Sequence, residues 1–346
     1  MSGKKQMKYW RDMQDGVDYV YTPALCDDAI VDVFMLTYNH EPYIRQAIDS
    51  VLMQKTKYKY RMVIGDDCSP DNTQAILKEY QEKYPDKIAT ILWKYNTGKE
   101  FVKNPEKCKQ KGCNSIVTHR YCTAKYIAVL EGDDYWTSPY KLEKAISFLE
   151  EHSEYIGYAH NIKMVDENGT LIQSMIPTGG VKFQWYPVLE EHIFCEQTVF
   201  NYYWLISQSA AIVSKNYTLS WSEQDWDCYY KCCANGDLIR SAILGCLGDV
   251  FVSRDIMSEY RMAFNRTSWY AFQIKKNRAL LEYHQWINVA NFLLQTYGIE
   301  LPMDKNIKYR LEESQEALYR NFSFRNLVVY WGIRYDVHFR KAWKLR

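Results

Sequence analysis

A surplus of charge of one sign is absent from this sequence: 43 Lys+Arg stand against 42 Asp+Glu over 346 residues, a formal net charge of +1. A dedicated nucleic-acid binder draws most of its affinity from neutralising phosphates, so no nucleic-acid partner is expected. Glycine (15) and proline (9) are scarce, which excludes a collagen-like or linker-dominated architecture. Neither an internal repeat nor a low-complexity tract is present. Long apolar runs are missing too. The longest uncharged stretch, Gln197 to Ser214, carries Gln197, Thr198, Asn201, Ser207, Gln208, Ser209 and Ser214, too many polar groups for hydrocarbon, and no transmembrane helix is expected. The opening residues MSGKKQMKYWRDMQDG have no apolar segment behind their basic ones and no small-residue cleavage site, so no secretory signal is read and the cytoplasm is the expected compartment. The ten cysteines are too thinly spread for a disulfide framework, and reduced thiols suit that compartment.

What is present is an ordinary folded composition, 47% hydrophobic and 25% charged, with 30 tyrosines whose flat faces and polar edges suit sugar rings and bases. Val31 to Leu36 is almost wholly apolar, as a strand covered on both faces would be, and it ends in the polar string Thr37-Tyr38-Asn39-His40-Glu41. Pro42 can open a helix, and Ile44, Ala47, Ile48, Val51 and Leu52 follow at helical spacing. The pattern repeats: a strand from Tyr60 to Ile64, a polar turn from Gly65 to Asp71, a helix from Asn72 to Tyr84, and a strand from Ile88 to Leu92. Residues 96 to 123 read as a loop plus a helix without clear limits. Ala124 to Leu130 is another buried strand, running into Glu131-Gly132-Asp133-Asp134 and then a helix from Pro139.

Alternating strands and helices predict an α/β fold with right-handed crossovers, a mainly parallel sheet and helices on both faces. Ligands bind such sheets beyond the carboxyl ends of the strands, where all three polar strings should converge. Further on, Asn168-Gly169 between apolar runs predicts a hairpin turn with positive φ at both centres, which makes the sheet mixed. A helix from Asp225 to Ala234, a strand around Asp249 to Tyr260 and terminal helices complete the reading. The tail from Phe324 to Arg346 is basic and aromatic. Such a segment can lie on an anionic membrane, which adds the inner membrane face as a second location; a helix packed on the domain with a solvated basic face is the stronger expectation.

Adjacent carboxylates at a strand end can hold a hard divalent cation that completes its shell with phosphate and water, although most such pairs cap a helix instead. Three acidic or polar strand ends at one edge suggest a nucleotide and a metal. Cys108, Cys113, His119 and Cys122 have the ligand types of a Cys₃His zinc site at irregular spacing, a minor expectation. His40 has no partner at readable spacing, and a structural role is expected for it.

VDVFMLTYNHEPYIRQAIDSVLMQ, VIGDDCSPDNT and YIAVLEGDDYWTSPYKLEKAISFLEE resemble the three signature blocks of the family-two glycosyltransferases, enzymes of GT-A fold that are mostly inverting. The resemblance is close over residues 31 to 150 and continues more weakly to about 270. It implies a Rossmann-like mixed sheet carrying a C-terminal helical extension, divided as an N-terminal extension (1–30), a nucleotide-sugar-binding half (31–136), an acceptor-binding half (137–270) and a helical region (271–346). It further implies that Thr37, Tyr38, Asn39 and Glu41 line the nucleotide pocket, that Asp67 reads the base, and that Asn96 and Gly98 lie near the donor. Asp133 would contact the ribose or the metal, and Asp134 would hold Mn²⁺ or Mg²⁺ on the donor diphosphate. Gln224-Asp225-Trp226 is similar to the string on which the family places its catalytic base, making Asp225 the candidate. Relatives often follow Tyr-Arg with a histidine that reaches the metal, whereas this chain reads Tyr260-Arg261-Met262-Ala263-Phe264-Asn265-Arg266; either fewer protein ligands hold the metal, or Arg261 and Arg266 take over part of the diphosphate neutralisation. The implied reaction moves a sugar from a nucleotide donor, UDP-linked by default, to a glycan or lipid-linked acceptor in surface-polysaccharide assembly. A non-catalytic nucleotide-sugar-binding or scaffold protein and a nucleotidyltransferase are the alternatives. The latter usually carries a Gly-rich basic loop that Thr37 to Glu41 lacks.

Overall fold

The computed structural model describes residues 18–99, 113–173, 192–194, 211–232, 236–262 and 278–301, with 311–312, 314–316, 319, 327–328 and 330–334 beyond them. The chain divides into two compact units, Met1–Tyr230 with Gly236–Met262, and Lys231–Asn235 with Ala263–Arg346.

The first unit is built on a mixed sheet. Strands β1 (Tyr19–Thr22), β2 (Val31–Thr37), β3 (Tyr60–Asp66), β4 (Ile88–Trp93), β5 (Tyr126–Glu131), β6 (Tyr135–Trp136), β7 (Tyr155–Asp166), β8 (Leu171–Gln173), β9 (His192–Phe194), β10 (Val213–Lys215) and β11 (Asp249–Met262) all belong to it. Their order is β1-β4-β3-β2-β5-β10-β7-β11-β6, with β8 on β7 and β9 on β11. Strands β4, β3, β2 and β5 are parallel neighbours, in register from Val31 opposite Tyr60 and Tyr126. The crossovers carry helices α1 (Ile44–Leu52), α2 (Thr73–Lys83) and α3 (Asn114–Tyr121), and α4 (Lys141–Glu151) follows β6. The apolar runs behave as their composition demands: Val31, Val33 and Met35 of β2 are fully enclosed, as are Ile44, Ile48 and Val51 of α1.

Asp32 is a charge in the middle of that apolar strand. It is 0% exposed, and it is matched by Arg61, whose Nε and Nη2 donate to its two oxygens at 2.7 and 3.0 Å, and by the Ala124 N–H at 2.8 Å. Paired and hydrogen-bonded in this way, the buried carboxylate is tolerated.

Several elements differ from the sequence reading. Strand β1 lies within residues 1–30, read as an extension, and pairs antiparallel with β4. Antiparallel β10 wedges between β5 and β7, where nothing in its three residues announces a central strand. Helix α5 (Glu223–Cys232) starts two residues before Asp225, and a second helix, α6 (Gly236–Leu247), precedes β11 where only one helix was read. At the β7–β8 hairpin only Gly169 has positive φ (84°). Asp166 accepts the Gly169 N–H at 3.1 Å and donates to Thr170 at 2.9 Å, a three-residue loop that needs one left-handed residue rather than two. The second unit contains helix α7 (Arg278–Tyr297). Among the described residues no helix is long and apolar enough to cross a membrane, and residues 335–346 of the basic tail lie outside them.

Candidate functional site

The loops after β2 and β3 are stitched together at the carboxyl edge of the sheet. Asn39 and Cys68 both take φ of 59°, turning their loops back sharply. The Asn39 N–H donates to Ser69 Oγ at 2.9 Å, the His40 N–H to Thr73 Oγ1 at 3.0 Å, and the Glu41 N–H to Asp71 Oδ2 at 3.0 Å. Glu41 answers by accepting from the Asn72 N–H at 3.0 Å and Asn72 Nδ2 at 2.6 Å. The structure thus spends the Glu41 carboxylate on loop architecture.

Each acidic pair splits into an inward and an outward member. Asp66 is fully buried and accepts from Ser69 and from Gln74 Nε2 at 2.6 Å. Asp67 faces the loop after β4, where its Oδ1 accepts from the Thr97 N–H at 2.7 Å and Thr97 Oγ1 at 2.6 Å. Asn96 Nδ2 donates to the Asp67 carbonyl at 3.0 Å, and Gly98 sits against Asp67 Oδ2. Burial pushes the Asp67 carboxyl up to about 6. Lys99 closes this corner by donating to the Tyr38 hydroxyl at 3.0 Å.

In the second pair the order is reversed. Asp134 is 1% exposed; its Oδ1 accepts the Arg261 N–H at 2.8 Å, and its Oδ2 is enclosed without a hydrogen-bond partner. Burial and the Asp133 charge raise its pKa. Asp133 is the outward member, its side chain 27% exposed and its Oδ2 3.7 Å from His40 Nε2. Glu131, at the end of β5, is pushed up to about 8 by burial and by the charges of Asp237 and Asp133. Asp133 is therefore the accessible carboxylate of the pair, and the expectation that Asp134 would hold the ion is met by a side chain turned into the protein.

Arg261, the other candidate for the diphosphate, spends its donors within the protein. Its Nε donates to the Asp133 carbonyl at 2.8 Å, Nη1 to the Glu167 carbonyl at 3.2 Å and Nη2 to Gln46 Oε1 at 2.8 Å, while the guanidinium lies 4.5 Å from the Tyr43 ring centre. It is a latch joining β11, the β5–β6 turn, the β7–β8 hairpin and α1. A cavity of about 390 Å³ lined by Pro42, Tyr43, Gln46, Glu167, Asn168, Gly169 and Arg261 opens beside it.

Asp225 sits in the first turn of α5. Its Oδ2 accepts from the Ser222 N–H at 2.8 Å and Ser222 Oγ at 2.6 Å, while Ser222 Oγ receives the Asp225 N–H at 3.3 Å. This is a reciprocal capping box. Asp237, which the sequence reading passed over, opens α6. That helix packs on β7 and β11 and leads into β11 through Gly248. Asp237 is bonded to Arg240, keeps 43% of its side-chain surface accessible, and has its pKa raised by burial. Its charge adds to burial in raising the pKa of Glu131 and of the Tyr260 phenol. The available signal was Gly236-Asp237 before Leu238, Ile239, Ala242 and Ile243, an acidic first turn ahead of a helical apolar pattern.

The zinc expectation is not met. Cys108 lies outside the described residues. His119 is buried edge-on against Tyr217 and Trp226, both at 5.7 Å, and burial pushes its pKa down to about 3. Cys122 donates to the Thr118 carbonyl at 3.5 Å. Among the described residues no three His, Cys, Asp or Glu side chains gather to hold a metal ion. A divalent cation at this edge fits only as one that leans on substrate oxygens, with Asp133 as its accessible carboxylate.

The sheet order and the strand-end loops together define a mixed α/β architecture of GT-A type. The sequence model of glycosyl transferase family 2 matches residues 32–204, half of the chain, and the protein belongs to that family. Uncharacterized protein Rv1520 of Mycobacterium tuberculosis is 32% identical over 139 residues, 40% of this chain and 37% of that protein. The chain thus matches little more than a third of that relative's length. The putative teichuronic acid biosynthesis glycosyltransferase TuaG of Bacillus subtilis is 31% identical over 150 residues, 42% of this chain and 52% of TuaG. Among solved structures, S. aureus TarS 1-349 in complex with UDP-GlcNAc superimposes with a TM-score of 0.57 at 17% identity, over 88% of this chain and 79% of that one, a likeness of fold.

Proposed function

We propose that this protein transfers a sugar from a nucleoside diphosphate donor to a hydroxyl of a glycan or lipid-linked acceptor, with inversion, in polysaccharide assembly. The observation that supports the reading is that β3 and β5, parallel neighbours of β2 on either side, lead directly into Asp67 and Asp133 at their carboxyl ends. Asp67, held by Thr97, presents its carboxylate to a base N–H, and Tyr38 with Lys99 walls the nucleotide. A uridine nucleotide is favoured, in keeping with the UDP-GlcNAc bound by TarS, and the role named for TuaG supports a cell-surface glycan as product.

Asp133 faces the diphosphate. A divalent cation there would neutralise the charge that develops as the anomeric bond breaks. On the acceptor side one carboxylate must take the hydroxyl proton as the new C–O bond forms and the nucleoside diphosphate departs from the opposite face. Asp225 was the candidate on sequence. Asp237 is the favoured base here, because the Asp225 oxygen is committed to Ser222 while Asp237, held by Arg240, keeps part of its side chain accessible.

The test is calorimetry of UDP, UDP-GlcNAc and GDP-mannose binding to the full chain, followed by product analysis with saccharide acceptors. Donor binding weakened by Asp67→Asn, with transfer to an acceptor hydroxyl, supports the reading. Binding without turnover on any acceptor would identify a nucleotide-sugar-binding protein instead.

A further inference from the structure

The strand that ends Tyr260-Arg261-Met262 offers no imidazole to a metal, yet one stands on the opposite wall of the crevice. His40 Nε2 lies 3.7 Å from Asp133 Oδ2, and both side chains are partly accessible, at 21% and 27%. That separation is too long for a hydrogen bond. Adjacent ligands about 2.1 Å from one octahedral ion stand about 3 Å apart, so a closure of well under 1 Å, roughly one rotamer adjustment, brings this pair onto a shared cation.

The far side of the imidazole points the same way. His40 Nδ1 and Thr37 Oγ1 are both buried and both without a hydrogen-bond partner. A Cβ on Gly132 would stand 2.8 Å from His40 Nδ1 and 2.9 Å from Thr37 Oγ1, so the two orphaned atoms border one small space that only glycine leaves open. An imidazole that ligates through Nε2 carries its proton on Nδ1 and needs an acceptor there to fix tautomer and ring orientation. Thr37 Oγ1, across that space, is the acceptor that a small ring rotation would bring to it.

We propose that His40 Nε2 and the Asp133 carboxylate together hold the divalent cation of the donor diphosphate, with Thr37 as the positioning residue behind the imidazole. The inference rests on the nucleotide-sugar reading for its diphosphate, but not for its metal chemistry. A mixed imidazole and carboxylate set suits Mn²⁺ better than Mg²⁺, which prefers oxygen alone.

The experiment is pulsed electron paramagnetic resonance of the natural full chain with Mn²⁺ and UDP, and in parallel with Mn²⁺ and inorganic pyrophosphate. Directly bound imidazole nitrogen should modulate the Mn²⁺ echo in the wild type and vanish in His40→Gln. Mn²⁺ affinity should fall about tenfold or more in His40→Gln, and by a smaller factor in Thr37→Val. No nitrogen modulation in the wild-type protein, or modulation that survives in His40→Gln, overturns the assignment. Failure to bind UDP while the pyrophosphate sample shows the nitrogen coupling would count against the nucleotide and in favour of His40.

Discussion

The backbone N–H of Arg261 donates to Asp134 Oδ1 at 2.8 Å, joining the end of the last strand to the turn after β5 across 127 positions of chain. The side chain of the same arginine reaches the neighbouring carbonyl of Asp133. Asp133 is therefore aimed by its inward neighbour and by a strand from the second half of the unit.

Loss of that latch should be costly. Arg261→Ala leaves the carbonyls of Asp133 and Glu167 and the Gln46 amide without their charged donor, and empties a buried site that is 5% exposed. A loss of about 2–4 kcal/mol is expected from denaturant midpoints. Arg261→Lys should recover only part, since an ammonium cannot reproduce the fork of donors.

Gly65 is the second point of intolerance. A Cβ there would stand 1.9 Å from Thr118 Oγ1 and 2.4 Å from Asn114 Oδ1, and Asn114 Nδ2 already donates to the Gly65 carbonyl at 3.0 Å. Gly65→Ala should force α3 away from β3 and destabilise by about 1–3 kcal/mol. Adding Thr118→Ala should return part of that loss, a non-additivity readable from thermal melts of the two single variants and the pair.

The Asp67 carboxyl gives a pH signature. Its pKa is raised from 3.8 to about 6 in the fold, so the native state holds this proton more tightly than the unfolded chain does. The resulting penalty accumulates as pH climbs from about 4 to about 6 and is fully present above that. Asp67→Asn should therefore flatten this segment of the stability curve and melt higher than wild type at pH 7. UDP affinity in the wild type should drop below pH 6, as the accepting carboxylate is protonated, and in Asp67→Asn it should be weak throughout.

The two second-half aspartates separate cleanly. Asp237→Asn should reduce transfer by about 10²–10⁴-fold with UDP binding retained, the scale of a lost general base. Ser222→Ala, which removes the capping partner of Asp225, should lower stability by about 1 kcal/mol. Transfer abolished in Asp225→Asn and intact in Asp237→Asn would return the base to α5.

Much of this architecture was legible because burial on both faces makes a strand nearly all apolar: Val31 to Leu36 and Ala124 to Leu130 stand out, and amphipathic α1 and α4 follow from their spacing. The convergence of strand ends follows from parallel pairing. What the chain does not announce is which of two adjacent carboxylates turns outward. Asp66 faces in and Asp67 out, while Asp133 faces out and Asp134 in, because each turn decides the matter through remote partners, Gln74 in one case and Arg261 in the other. His40 and Asp237 went unread for the same reason, as each gains its meaning from a residue over ninety positions away. Strands β1 and β10 are three or four residues long and are defined by the neighbours they fill between or cover.

Strand β1 closes one side of the sheet, where Tyr19 to Thr22 cover Trp93 to Thr90 of β4. A shortened chain starting at Val31, the boundary that hydropathy alone suggests, would leave β4 with a bare row of amides and carbonyls. Such a fragment should self-associate edge to edge, so any expression of the first unit by itself has to begin upstream of Asp18.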